Sequence, residues 1–139
     1  MLLTPAQHET LFQTLPNLKL LALFGSRAKN TATAKSDWDL AFLATPNPIG
    51  WAELELQESI AQILEISSDQ IDLVNLIHCS PVLGYIVAKE GKVVYESEPN
   101  QFTYFQMKAW KIYADAAKLR QYQAQYIRES IERLQNNNS

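Results

Sequence analysis

The sequence predicts an α/β (α+β) fold: a small mixed sheet of about four strands flanked by helices, followed by a long C-terminal helix. Three observations carry this expectation. Short apolar runs bounded by turn residues recur at Leu18–Phe24, Asp37–Leu43, Ile71–Ile77 and Lys92–Tyr95. Between them lie segments with helical spacing and helix start signals, and beyond Pro99 a single apolar stripe runs to Leu134. The expected order is α-β-β-α-β-α-β, then the long helix.

Thr4 before Pro5 is a strong helix start, because the threonine oxygen can accept from an orphan N–H and proline is pre-set for the first turn. That helix should run from Pro5 to about Leu15 and break at Pro16-Asn17. Leu18–Phe24 reads as a buried strand ending at Gly25-Ser26, and residues 27–36, small and polar, suit a short helical turn and surface loop. Asp37–Leu43 is the second strand and Thr45-Pro46-Asn47-Pro48 the loop after it. Leu54, Ile60, Ile63 and Leu64 among Glu53, Glu55 and Glu58 predict an amphipathic helix over about Trp51–Glu65. Ile71–Ile77 is the third strand, Pro81–Lys89 a helix ended by Gly91, and Lys92–Tyr95 the fourth strand. Phe102, Phe105, Ala109, Ile112, Ala116 and Leu119, continued by Tyr126, Ile127, Ile131 and Leu134, predict a helix longer than the domain is wide, so part of it should overhang. Gln135–Ser139 is expected to fray.

Composition excludes several classes. At 139 residues, with 47% apolar and 19% charged residues, the chain suits one compact domain. The longest uninterrupted apolar run, Leu20–Phe24, is far short of the roughly 20 residues a membrane-crossing helix needs, so no membrane association is expected. No basic start precedes a long apolar segment, so no secretory signal is expected. Cys79 is the single cysteine, which rules out an internal disulfide and suggests a cytoplasmic address. The net charge of −3 conceals an asymmetry, with 6 basic and 12 acidic residues over 1–100 against 6 basic and 3 acidic over 101–139. A solvated basic helix face explains that tail, and direct nucleic-acid binding is not expected.

The informative segment is Gly25-Ser26, ten residues, then Asp37-Trp38-Asp39. Residues two apart in a strand share a face, so Asp37 and Asp39 should present their carboxylates together while Trp38 enters the opposite layer. Two adjacent carboxylates demand a counterion, and hard oxygen ligands suit Mg²⁺ or Mn²⁺, in a pair roughly 3.5–4 Å apart where two ions bind. Asp72, one residue into the apolar run Ile71-Asp72-Leu73-Val74, is an awkward place for an unpaired charge unless it faces a cleft or a metal. Gly25 suits a turn where backbone approaches a ligand closely, and Ser26 with the following amides can donate to phosphate oxygens. Each feature alone has an ordinary structural explanation; their conjunction on three successive strands is what points to chemistry. His78, His8 and the tyrosines of the last helix are expected to be structural, Tyr104, Tyr113, Tyr122 and Tyr126 as core or interface packing.

Phe24-Gly25-Ser26-Arg27-Ala28, the ten-residue gap and Ser36-Asp37-Trp38-Asp39-Leu40 resemble the minimal nucleotidyltransferase family, which shares the palm of DNA polymerase beta-type enzymes. The resemblance spans about residues 1–95. It implies a polymerase beta-like palm in which Gly25 and Ser26 bind the triphosphate of ATP, Asp37 and Asp39 bind Mg²⁺, and Asp72 is the third acid. Arg27 joins the expected nucleotide ligands, with pairing to a surface acid as its alternative. Many members of the family are antitoxins encoded beside a HEPN-domain ribonuclease, and the resemblance implies transfer of AMP from ATP to a tyrosine of that toxin. On this reading residues 1–98 form the nucleotidyltransferase domain and 99–139 a helix that packs on it and on a partner. Competing readings are a non-catalytic antitoxin that blocks the toxin sterically through this helix, and a small-molecule nucleotidyltransferase of the antibiotic-modifying kind. Asn30 stands where many relatives have glycine, and asparagine tolerates the left-handed backbone such a position requires.

Overall fold

A computed structural model describes residues 1–137. Helix α1, Pro5–Thr14, opens with a reciprocal capping pair: the Gln7 amide donates to the Thr4 hydroxyl at 3.1 Å and the Thr4 amide to the Gln7 side chain at 3.0 Å. Strand β1, Leu18–Phe24, is followed by β2, Trp38–Ala44, and helix α2, Trp51–Leu64. A 3-10 turn over Ser68–Gln70 leads into β3, Ile71–Asn75; then come α3, Pro81–Glu90, β4, Lys92–Glu96, and α4, Gln101–Asn137. The expected order of elements holds throughout.

The sheet runs β3-β2-β1-β4. β1 is antiparallel to both neighbours, and β2 and β3 are parallel, as the crossover through α2 requires. Alternation along the strands sorts the apolar residues into two cores. Leu21, Leu23, Leu40 and Phe42 pack beneath α1 and α2 with Leu11 and Ile60, whereas Ala22, Phe24, Ala41 and Leu76 pack beneath α3 and α4 with Val87, Phe105 and Ala109. Helices thus cover both faces, and β1, the most buried strand, is the shared floor.

Several element ends shift by one residue, as at Ala44, Glu90 and Glu96, and three further boundaries differ from expectation. β2 begins at Trp38, because the first ladder pair is Trp38 with Ile71 and Asp37 lies ahead of it. β3 ends at Asn75, two residues early: the Asn75 side chain accepts from the Ile77 amide at 3.0 Å and donates to Asn47 at 2.7 Å, which turns the chain out of the ladder. The tail expected to fray from Gln135 is helical to Asn137, and its last two residues lie outside the described residues. Asn30 adopts the left-handed conformation, φ +59°, that its side chain was expected to tolerate.

α4 has 37 residues, a rod about 55 Å long at about 1.5 Å per residue. Its first half packs on α3, with Gln106 donating to the Ala88 carbonyl at 2.9 Å and Tyr113 stacked on Tyr85 at 4.2 Å. Ile112 lies beside Ile77 and Pro81, at the carboxyl end of β3, and beyond Ala117 nearly every side chain is exposed. Leu119, Tyr122, Tyr126, Ile127 and Ile131 therefore stand in the open, along the expected overhang. No helix among the described residues is long and apolar enough to cross a membrane.

The contrast between core and overhang is measurable. Leu21→Ala, at a fully buried position, should lower the unfolding free energy by about 2–5 kcal/mol in urea titration. Leu134→Ala, on the exposed overhang, should change it by less than about 0.5 kcal/mol.

Candidate active site

At one end of the sheet the chain leaves β1 through Gly25, in the left-handed conformation at φ +72°. A side chain on Gly25 would run into the carboxylate of Asp39, so glycine is required both by backbone geometry and by this close approach. The turn is closed by the Ala28 and Lys29 amides, which donate to the Gly25 carbonyl at 3.1 and 3.2 Å. Ser26 follows directly, its carbonyl accepting from the Thr31 amide at 3.0 Å.

Asp39 is the register partner of Phe24 on one side and of Asp72 on the other. Trp38, Leu40 and Leu73 belong to the α1/α2 core, and Ala41 and Val74 to the α3/α4 core. By alternation Asp37, Asp39 and Asp72 lie on the α3/α4 face, at the rim of the sheet beyond the helices' cover. Asp39 is half-buried, and Asp37 and Asp72 are exposed. Partial burial, then the Asp72 charge, then the Asp37 charge hold the Asp39 carboxyl above the ordinary carboxylate range. No basic side chain answers these charges: the ion pair formed among the described residues joins Lys29 to Glu90 at 3.1 Å.

Among the described residues no three acidic, histidine or cysteine side chains are grouped closely enough to enclose an ion as they stand. The donor set is nonetheless all carboxylate oxygen, on one face, without an internal cation, which is the chemistry a hard divalent ion takes. Asp39 is the point these residues share: Gly25 closes on its carboxylate, Asp72 is its partner across the ladder, and the charges of Asp72 and Asp37 both reach it, while Ser26 follows Gly25 in the turn. Arg27 is placed differently. Its guanidinium donates to the Ser36 carbonyl at 3.2 and 2.7 Å and to the Thr33 carbonyl at 3.4 Å, and lies over the Trp38 ring at 3.9 Å.

Other titratable residues sit away from this rim. His78 follows the carboxyl end of β3, opposite Asp72, and contacts Asn47 at 2.9 Å. His8 packs on Tyr95, and the Cys79 thiol donates to the Leu76 carbonyl while burial pushes its pKa up, so it is not primed as a nucleophile. Sequence reasoning missed the Arg27–Trp38 stack and the Asn47–Asn75–His78 chain, whose members lie 11 and up to 31 positions apart with no periodicity linking them.

An antiparallel and parallel four-stranded sheet, a glycine-serine turn and acids on the two adjacent strands define a nucleotidyltransferase palm. The chain matches the polymerase beta nucleotidyltransferase family over residues 7–100, and it belongs to that family. It is similar to the protein adenylyltransferase MntA of Aphanizomenon flos-aquae, 34% identical over 132 residues that cover 88% of this chain and 87% of that protein. The protein adenylyltransferase MntA of Shewanella oneidensis is 34% identical over 84 residues, 60% of this chain and 58% of that one. Among solved structures, a toxin-antitoxin with AMP-PNP contains a chain with a TM-score of 0.69 and 28% identity, covering 90% of this chain and 98% of that one. A tri-AMPylated Shewanella oneidensis HEPN toxin in complex with MNT antitoxin gives a TM-score of 0.61 at 26% identity, covering 88% of this chain and 96% of that one.

Two outcomes follow from the site's geometry. Gly25→Ala should cost about 1–3 kcal/mol in thermal or urea unfolding, from left-handed strain and the collision with Asp39. The raised Asp39 pKa means that, without divalent ions, the folded state holds this proton more tightly than the unfolded state. Stability from this group is therefore greatest below the ordinary carboxylate range and falls as pH rises through the raised value. In EDTA, Asp39→Asn should remove that decline and raise Tm at neutral pH, as read by thermal unfolding across the acidic to neutral range.

Proposed function

We propose that this chain is an antitoxin enzyme that transfers AMP from MgATP to a tyrosine hydroxyl of a HEPN-type ribonuclease toxin and so silences it. The observation that carries this reading is the register of Asp39 against Asp72, with Gly25 pressed onto the Asp39 carboxylate. That contact sets the Gly25-Ser26 turn beside acids that no basic side chain neutralises. The similarity to protein adenylyltransferases named MntA supports the choice of reaction.

Gly25 lets the turn approach the triphosphate, and Ser26 with the amides after it donates to the phosphate oxygens. Asp37, Asp39 and Asp72 would hold Mg²⁺, which when bound supplies charge neutralisation for the triphosphate and acidifies the acceptor hydroxyl. The residues orient the α-phosphorus for in-line attack, so that the bond from acceptor oxygen to phosphorus forms as the bond to pyrophosphate breaks. No side chain here needs to become covalently modified. Because Asp37 and Asp72 are exposed, the site opens directly to solvent, which suits a hydroxyl presented on a protein surface better than an enclosed small molecule.

Residues 1–98 are proposed as the catalytic unit and 99–139 as the helix that docks the toxin, the pair acting in the cytoplasm. Ile112, in the packed first half of this helix, lies beside Ile77 and Pro81 past the carboxyl end of β3, whereas Asp72 lies near its amino end. The exposed stripe of Leu119, Tyr122, Tyr126 and Ile127 also favours a second reading, in which docking alone blocks the toxin.

Intact-mass measurement of the toxin after incubation with this protein, ATP and Mg²⁺ separates the two. A gain of one or more AMP masses, lost with Asp37→Ala/Asp39→Ala, is expected. Unmodified toxin that is still inhibited, with protection lost on truncation after Leu119, would establish the steric reading instead.

A further inference from the structure

Among the side chains that brace the ten residues between Ser26 and Asp37 is that of Arg27. Arg27, immediately after the proposed phosphate grip, reaches across the loop to the Ser36 carbonyl, the oxygen of the peptide bond that leads into Asp37. Asp37 precedes the first ladder pair, Trp38 with Ile71, so the sheet does not hold it directly. What the sheet leaves undone, the guanidinium does, with three hydrogen bonds to Ser36 and Thr33 and its flat face on the indole of Trp38.

The side of the strand decides between the two roles open to Arg27. Trp38 packs with the α1/α2 core, and alternation puts Asp37 and Asp39 on the other face. A guanidinium stacked on Trp38 is therefore on the reverse side of β2 from the carboxylates. Arginine suits this place because a planar fork can serve one carbonyl through two nitrogens while stacking on an aromatic ring, which an ammonium cannot do. The rest of the loop is tied to itself, Thr33 donating to the Ser36 hydroxyl at 2.9 Å, and to α3 through Lys29 and Glu90.

We propose that Arg27 is a positioning residue that fixes Asp37 for divalent-ion binding by joining the Ser26 turn to the Ser36–Asp37 peptide and Trp38, and that it is not a ligand of the triphosphate. This rests on the functional reading above, in which Asp37 holds the ion. Loosening the brace should weaken the ion site while leaving the phosphate grip in place.

The test compares Arg27→Ala, Arg27→Lys, Trp38→Leu and Trp38→Phe. The first readout is the Mn²⁺ concentration giving half the maximal rise in Tm in the presence of a non-hydrolysable ATP analogue. Arg27→Ala and Trp38→Leu should each raise it about 10- to 100-fold, the usual effect of losing a group that orients a metal ligand. The double variant should be little worse than either single one, because both remove the same brace. Trp38→Phe, which keeps an aromatic face, should stay near wild type, and Arg27→Lys should fall between. Amide hydrogen exchange over residues 28–37 should quicken in Arg27→Ala with β1 still protected, which also shows that the variant folds. An unchanged Mn²⁺ requirement in Arg27→Ala would overturn the proposal. So would a higher KM for ATP at saturating Mg²⁺ in Arg27→Ala with Trp38→Leu indistinguishable from wild type. The Mn²⁺ and exchange readouts need no turnover, so an inactive wild-type protein would count against the functional reading alone.

Discussion

Three carboxylates brought to one rim of a sheet without a cation among them are the constraint around which this protein is built. The parallel register of β2 and β3 sets Asp39 beside Asp72, and strand alternation adds Asp37 on the same face. Their mutual repulsion is visible in the Asp39 carboxyl, which desolvation and its two neighbours hold above the ordinary range. A fold optimised only for its own stability would place a lysine there or separate the acids. This one places Gly25, without a side chain, against the Asp39 carboxylate and leaves the rim open.

Most of the remaining architecture can be understood as holding that rim steady. A parallel pair needs a crossover, and α2 supplies it, tied to the start of β3 by Gln57, which donates to the Ser68 and Ile71 carbonyls. Two separate apolar cores clamp β1 and β2 from both faces, so that the acids at their edge rest on the most buried part of the chain. The loop between β1 and β2 reaches the core only through the buried Ala28, and the Lys29–Glu90 ion pair and Arg27 on Trp38 add to that support. α4 contributes to the core only through its first half, and beyond Ala117 nearly every side chain is exposed.

Much of this was legible in the sequence where local rules operate. The Thr4-Pro5 start, the alternation of Asp37, Trp38 and Asp39, and the apolar spacing from Phe102 onward each express a fixed geometric period, and the corresponding elements form. Asn30 was readable because few residues accept a positive φ. What escaped was set by contacts distant in sequence. The strand order β3-β2-β1-β4 follows from how two cores close, and no single segment encodes it. The early end of β3 depends on Asn75 meeting Asn47, and the posture of Arg27 depends on a ring 11 residues away. For the same reason Arg27 was expected among the nucleotide ligands or paired with a surface acid, and its hold on the Ser36 carbonyl was not foreseen.

Gly25-Ser26, Asp37, Asp39 and Asp72 are proposed to form one ion-dependent nucleotide site at this rim. Paramagnetic broadening by Mn²⁺ tests it most directly, with backbone amide resonances recorded with and without a non-hydrolysable ATP analogue. Selective, nucleotide-enhanced loss of signals is expected over residues 25–30, 37–40 and 71–73, with Asn47, Asn75 and His78 at the far end of the sheet untouched. Broadening centred on that far end, or none at any of the three segments, would contradict it.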